Sequence, residues 1–158
     1  MRGNGLIDGT GTGFRPGVGV LVEGDRILEV GPEERLAARA EETLDLGSAT
    51  LVPGFVDAHS HITIRPGEGD QHGQLRRPAV WQALRGVRNL RRVLASGVTT
   101  MRVMGEEHGL DFEFKHAVER GDLAGPRLLV AGRGLSPSHG HGSSLKGVDG
   151  PEDLRKAV

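Results

Sequence analysis

The most informative absence in this 158-residue sequence is cysteine, of which there is none. Without cysteine the chain forms no disulfide, offers no thiolate nucleophile and builds no cysteine-based zinc site. Histidine and carboxylate side chains are therefore the strong metal ligands that remain. Aromatic residues are also scarce, at 3%, whereas glycine is abundant, with 26 residues. These proportions predict a core built mainly from leucine and valine, and many tight turns.

Two further absences narrow the classes of function. No apolar run approaches the roughly 20 residues that a membrane-spanning helix needs, and the start of the sequence lacks the apolar core of a secretion signal. Lysine and arginine total 20 against 21 aspartate and glutamate residues, so no strong overall field attracts nucleic acid or an acidic membrane surface. We therefore expect a soluble protein of the cytoplasm that associates with neither nucleic acid nor membranes.

Residues 1–52 have the pattern of a small β-rich region. Two short apolar segments, at 18–22 and 26–30, flank Glu23-Gly24-Asp25, which is typical of a hairpin turn. The glycine-containing stretch at 9–13 invites a nucleotide-binding interpretation, but it lacks an apolar strand before it and a helix after it. A turn explains this stretch better, and Pro53-Gly54 marks the expected end of the region.

From residue 54 onward, the sequence predicts alternating strands and helices. The expected elements are a strand at 54–62, a helix at 78–96, a strand at 98–103, a helix at 111–120, a strand at 127–131 and a helix beginning at 151–153. The stretch at 64–77 has no periodicity and is expected to be a functional or mobile loop. Such alternation is typical of a parallel sheet with covering helices, either open or closed into a barrel.

The leading chemical signal is the pair His59 and His61. Residues two apart on a strand project to the same side, so two imidazole nitrogens at a strand end are able to reach one metal ion. A bare His-x-His spacing arises by chance about as often as not. The residues around the pair therefore decide between a metal site and coincidence.

Those surroundings closely resemble the first barrel strand of the amidohydrolase superfamily, where a Pro-Gly turn leads into Asp-x-His-x-His. The resemblance rests on Pro53-Gly54 and on the run from Asp57 to His61. It continues along the chain: residues 7–9 and 22–27 resemble the β-sandwich that precedes the barrel, and 95–100 resemble its second strand. Residues 125–133 and 138–142 are similar to the third strand and following loop of the subgroup related to imidazolonepropionase and Xaa-Pro dipeptidases.

The resemblance implies a fold and a reaction. The fold is α/β: the first three strand–helix units of a (β/α)8 TIM barrel at residues 53–158, preceded by part of a small β-sandwich at 1–52. The reaction is hydrolysis of an amide, cyclic amide or dipeptide bond in a small-molecule substrate, with one or two divalent ions, zinc foremost. A complete barrel needs roughly 250 residues, so a second chain or a homo-oligomer is expected to complete the site.

Roles for individual residues also follow from the resemblance. It implies that His59 and His61 are metal ligands and that His139 and His141 contact the substrate. Asp57 is a candidate to order a ligand imidazole or, equally, the strand end. The general base is expected beyond the end of the chain. Relatives commonly carry Arg-Asp where this chain has Arg102 and Val103, so any role of that carboxylate does not transfer.

Two alternatives to an active hydrolase remain. The chain could be a catalytically incomplete fragment or an interaction subunit with weak metal binding. His59, His61, His139 and His141 could instead form one closed four-histidine site, although the second pair lies in a glycine-rich loop. The arginines at 85, 88, 91 and 92 could suggest nucleic acid, but charges opposite an apolar stripe usually form a solvated helix face.

Overall fold

The chain folds as two units of different architecture, Met1–Pro53 and Gly54–Val158. The computed structural model describes residues 1–140 and 147–158. Within these residues no helix is both long and apolar enough to cross a membrane.

The first unit is built mainly from short strands. Its elements are β1 (Gly5–Leu6), β2 (Arg15–Pro16), β3 (Val18–Glu23), β4 (Arg26–Pro32), α1 (Glu33–Ala37) and β5 (Thr50–Leu51). Strands β3 and β4 form the expected antiparallel hairpin, and β1 lies between β2 and β5 in a second sheet. Leu6, Val18 and Val20 are buried and pack with Leu51, which gives the unit a small core of leucine and valine.

The glycine-containing stretch at 9–13 is a turn that leads into β2 and not into a helix. Gly9, Gly11 and Gly13 all have positive φ angles, of 77°, 87° and 77°, which explains the repeated glycine. Hydrogen bonds from Thr10 to the Asp8 carboxylate, together with Arg15 at 3.0 Å, lower the pKa of Asp8 to about 2. The turn therefore binds its own carboxylate and is not a phosphate loop.

The second unit alternates strands and helices. Its elements are β6 (Phe55–Ser60), α2 (Gln71–Leu75), α3 (Ala79–Ala95), β7 (Val98–Val103), a 3₁₀ turn (Glu107–Gly109), α4 (Leu110–Glu119), β8 (Arg127–Leu129) and α5 (Gly150–Ala157). Strands β6, β7 and β8 form one parallel sheet in that order. The prediction of a stretch without secondary structure at 64–77 was wrong in part, because that stretch contains the short helix α2.

One face of this sheet is covered and carries the core of the unit. Met101 and Val103 of β7 and Leu128 of β8 are buried with Leu90 of α3 and Phe114 of α4. Of the apolar residues of α3, Val87 and Leu90 pack in this core, whereas Val80 and Leu84 are 71% and 70% exposed. Val56 of β6 is 67% exposed and Leu129 of β8 is 52% exposed, so apolar side chains of the sheet also remain open to solvent.

Close packing of α3 on α4 leaves no room for a side chain at Gly86. A methyl group there would lie 2.3 Å from Phe114 Cζ and 3.0 Å from Ile62 Cγ2. In an open helix Gly→Ala stabilises by up to about 1 kcal/mol. Here we expect Gly86→Ala to lower the free energy of unfolding by about 1–3 kcal/mol, because the core is overpacked.

Urea unfolding followed by circular dichroism measures this effect. Gly134→Ala is the matched control, because an added methyl group at Gly134 meets no atom within 4 Å. We expect this control to stay within about 0.5 kcal/mol of the parent chain. A Gly86→Ala variant as stable as the parent would contradict the packing described here.

Candidate functional site

A cavity of about 680 Å³ opens where β6 and β7 end. It lies in the second unit alone, and it also receives residues from the segment that follows β8. The carboxyl ends of neighbouring parallel strands meet at one edge of a sheet, and this edge is where polar side chains from separate strands converge. The lining includes Asp57, His59, Ser60, His61, Asn89, Met104, Gly105, Glu106, Glu107, Gly134, Leu135 and Ser136.

His59 and His61 lie together in this cavity. Their ring centroids are 5.9 Å apart and the ring planes are inclined by 65°. His61 Nδ1 lies 3.0 Å from the main-chain carbonyl oxygen of Gly105. A carbonyl only accepts hydrogen bonds, so His61 Nδ1 is the donor and the neutral ring has its lone pair on Nε2. The structure therefore presents His61 with Nε2 available to a ligand.

Asp57 orders the strand end and not an imidazole ring. Its Oδ1 accepts a hydrogen bond from the main-chain N–H of His59 at 3.1 Å, and its Oδ2 accepts one from the Ser60 hydroxyl at 2.9 Å. The carboxylate thus acts on the backbone that carries His59. Of the two roles considered for Asp57, the contacts favour the structural one.

Glu106 is the most deeply buried acidic group at the cavity and is 2% exposed. Its carboxylate accepts hydrogen bonds from the main-chain N–H groups of Ile62 and Thr63 and from the Thr63 hydroxyl. Burial raises the pKa of Glu106, although these hydrogen bonds and the nearby His61 act in the opposite direction. The carboxylate thereby binds the turn that directly follows His61.

The side-chain amides of Asn89 in α3 and Gln74 in α2 hold the segment after β6. Asn89 Nδ2 donates to the Ile62 carbonyl at 2.8 Å. Gln74 accepts from the Arg65 N–H at 2.8 Å and donates back to the Arg65 carbonyl at 3.2 Å. These bonds satisfy main-chain groups that have no sheet partner.

Ion pairs tie the same segment to α3. Glu68 pairs with Arg65 and Arg85, and Arg85 in turn lies 4.9 Å from the centre of the Trp81 ring. Arg85, assisted by Arg65, holds the pKa of the Glu68 carboxyl below its ordinary value. The arginines of α3 that suggested a solvated face therefore include one with a specific partner in the loop.

His139 lies apart from the cavity that holds His59 and His61. His139 is exposed, has a positive φ of 68° and is absent from the cavity lining. His141 lies outside the described residues. From this part of the chain the cavity receives Gly134, Leu135 and Ser136 instead. The substrate-contact roles of His139 and His141 stay predictions.

Sequence reasoning missed Glu106 and Asn89. Asn89 and Gln82 lie seven residues apart, hence on one helix face, and Gln82 is fully buried. Polar residues that recur on the apolar side of a predicted helix could have indicated side chains that form buried hydrogen bonds. Glu106 follows Gly105 just beyond the end of a strand, but nothing local predicts that its side chain reaches back to residues 62 and 63.

Two protein-family models match parts of the chain. The chain belongs to the amidohydrolase family, whose model matches residues 50–157. A second model, for the imidazolonepropionase-like composite domain of bacteria, matches residues 19–40. The resemblance seen in the Pro-Gly and His-x-His motifs is thereby confirmed.

Curated relatives match over short segments. A 5-methylthioadenosine/S-adenosylhomocysteine deaminase of Syntrophobacter fumaroxidans is 44% identical over 66 residues, which are 39% of this chain and 15% of that protein. An imidazolonepropionase of Cereibacter sphaeroides is 41% identical over 51 residues, 32% of this chain and 13% of that protein. Both relatives are hydrolases that act on C–N bonds.

Solved structures match over almost the whole chain. An amidohydrolase crystal structure has a TM-score of 0.78 at 29% identity, covering 98% of this chain and 41% of that one. A prolidase complexed with N-methylphosphonate-L-proline has a TM-score of 0.72 at 24% identity, again covering 98% and 41%. The chain therefore spans less than half the length of these structures. The expected mixed α/β class is confirmed, and the amidohydrolase structures that the chain matches are TIM-barrel based.

The described residues fit a metal as half of a site. Two imidazoles bound to one tetrahedral ion at about 2.0–2.1 Å have ring centroids roughly 5–6 Å apart, and the separation here is 5.9 Å. Across residues 1–140 and 147–158 no group of three or more histidine, aspartate or glutamate side chains is placed to hold an ion. A complete zinc site takes at least three protein ligands.

The buried carboxylate of Glu106 predicts a pH dependence of stability. Its folded-state pKa is raised above the ordinary value of 4.5. Its contribution to stability is therefore fully present below about pH 4.5 and is lost as the pH rises through the folded-state pKa. Glu106→Gln is neutral at every pH, so we expect its stability relative to the parent chain to increase from pH 4.5 toward neutrality.

Urea midpoints measured at a series of pH values test this expectation. Glu113→Gln is the control, because Glu113 is an exposed carboxylate of α4. A difference between Glu106→Gln and the parent chain that stays constant with pH would refute the inferred cost of ionising Glu106.

Proposed function

We propose that this chain supplies the first half of the metal site of an amidohydrolase that hydrolyses a C–N bond in an amide, cyclic amide or dipeptide. The observation that carries the proposal is the state of His61, whose Nδ1 donates to the Gly105 carbonyl and whose Nε2 is left as a ligand. The membership of the family and the proximity of His59 support the same reading.

The proposed division of labour follows from the contacts. His59 and His61 hold one or two divalent ions, with zinc as the first candidate. When bound, such an ion supplies a Lewis acid and an acidified water for attack on the scissile carbonyl. Asp57 keeps the His59 backbone at the strand end. His139 and His141 remain candidate contacts to the substrate carbonyl or carboxylate, and none of the described residues is assigned as the general base.

The proposed architecture assigns residues 1–52 to part of a β-sandwich and 53–158 to the first portion of the (β/α)8 barrel. The parallel order β6-β7-β8 supports it, as does the two-unit division after Pro53. The remaining ligands then come from barrel strands other than β6, β7 and β8. The exposure of Val56 and Leu129 supports further structure beside this sheet, because a parallel sheet is normally covered on both faces.

A second candidate function is an interaction subunit or catalytically incomplete fragment. It is favoured by one observation: the described residues bring together two histidines and no third ligand. Native mass spectrometry with metal analysis separates the two. A complex with bound ions that cleaves Xaa-Pro dipeptides or a cyclic amide supports the hydrolase, and a metal-free, inactive aggregate supports the alternative.

The ligand assignment has its own test. We expect His59→Ala and His61→Ala each to weaken Zn²⁺ binding roughly tenfold or more, because each removes one of only two imidazole ligands. Isothermal titration of the purified chain with Zn²⁺ measures the change. His116→Ala is the matched control, since His116 lies in α4 and outside the cavity lining. Full Zn²⁺ affinity in both cavity variants would refute the assignment.

A further inference from the structure

The buried carboxylate at the cavity has a role beyond packing. We infer that Glu106 is the positioning residue for His61, holding both its backbone and its ring in the arrangement that a metal ligand requires. This inference rests on the metal role proposed for His61. It assigns to Glu106 no contact with a metal or a substrate.

The first step concerns the backbone of His61. The peptide group that joins His61 to Ile62 is planar, so the direction of the Ile62 N–H also sets the direction of the His61 carbonyl. Glu106 accepts from that N–H, and it also accepts from the Thr63 N–H at 3.3 Å and from the Thr63 hydroxyl. Two consecutive peptide groups are thereby held by one side chain, which limits the ψ angle of His61.

The second step concerns the ring. The carbonyl that accepts from His61 Nδ1 belongs to Gly105, the residue directly before Glu106. The Glu106 N–H donates to the Gly132 carbonyl at 3.1 Å, which anchors the segment to the end of β8. His61 is therefore held from two sides by adjacent residues, its ring by Gly105 and its following turn by Glu106. Loss of the carboxylate frees both partners to move apart.

The third step separates positioning from direct ligation. Both carboxylate oxygens of Glu106 are already occupied, Oε1 by two N–H groups and Oε2 by a hydroxyl. The residue is 2% exposed, whereas His59 is exposed. A ligand role would require Glu106 to leave three donors unpaired in a buried place, which is costly. The Gly105 carbonyl is the group that accepts from the His61 ring, as partners of metal-binding histidines do. Glu106, the next residue, holds the turn that follows His61.

Three substitutions of Glu106 distinguish the effect of side-chain length from the effect of negative charge. Glu106→Gln keeps the length and an acceptor oxygen for the N–H groups but removes the charge. Glu106→Asp keeps the charge but is one methylene shorter, so it fails to span Ile62 and Thr63 together. Glu106→Ala removes both, and Glu113→Ala on the exposed face of α4 is the matched control.

Two readouts are measured on the full chain. Long-range ¹H–¹⁵N correlation spectra of the histidine rings report the tautomer of His61, assigned by the loss of its signals in His61→Gln. Titration with Zn²⁺ reports affinity. We expect Glu106→Ala and Glu106→Asp to shift His61 to a mixture of tautomers and to lower Zn²⁺ affinity roughly 10–100-fold. We expect Glu106→Gln and Glu113→Ala to retain the Nδ1–H tautomer and to bind Zn²⁺ within about threefold of the parent chain.

The outcomes are separable from those of the proposed function. If the parent chain takes up no Zn²⁺, the metal proposal fails, yet the tautomer spectra still decide whether Glu106 positions His61. If the parent binds Zn²⁺ and Glu106→Asp matches it in tautomer and affinity, the positioning role is overturned while the ligand assignment stands. If Glu106→Ala does not fold, the other two variants decide. Higher Zn²⁺ affinity and a purer Nδ1–H tautomer in Glu106→Gln than in Glu106→Asp support the inference, and the reverse order overturns it.

Discussion

The constraint on which the second unit depends is the need to satisfy main-chain groups where parallel strands end. At that edge the chain leaves the sheet, and its N–H and C=O groups lose their regular partners. Here they find partners in one another and in several side chains. Glu106 binds the turn after β6, Asn89 binds the carbonyl side of the same turn, and Gln74 binds the segment beyond it. The cavity is the space that remains open beside these hydrogen-bonded segments.

The same constraint explains what sequence reasoning reached. Helix α3 was predicted at 78–96 and observed at Ala79–Ala95, because apolar residues that recur at spacings of three and four indicate a helix. Strand β7 was predicted at 98–103, directly after this helix, and is observed with the same bounds. The position of His59 and His61 at a strand end followed from the motif that surrounds them.

The features that the sequence did not predict were missed for physical reasons as well. The side chain of Glu106 crosses 44 positions of sequence to reach Ile62, and no local pattern encodes a contact between two strand ends. Helix α2 has five residues and too few turns to show a period, so no sequence pattern predicts it; in the structure Gln74 ties it to Arg65. The motif likewise predicted a carboxylate near His59, but which partner Asp57 takes was decided by the geometry of the strand end.

A consequence for the metal half-site follows from the order in which these contacts are built. The imidazole of His61 is held by Gly105, Glu106 follows Gly105, and the N–H of Glu106 is fixed on the carbonyl of Gly132 after β8. The segment after β8 therefore helps to orient a proposed ligand that β6 leads into. Preorganisation of this kind reduces the ordering cost of binding, but it does not replace the missing ligands.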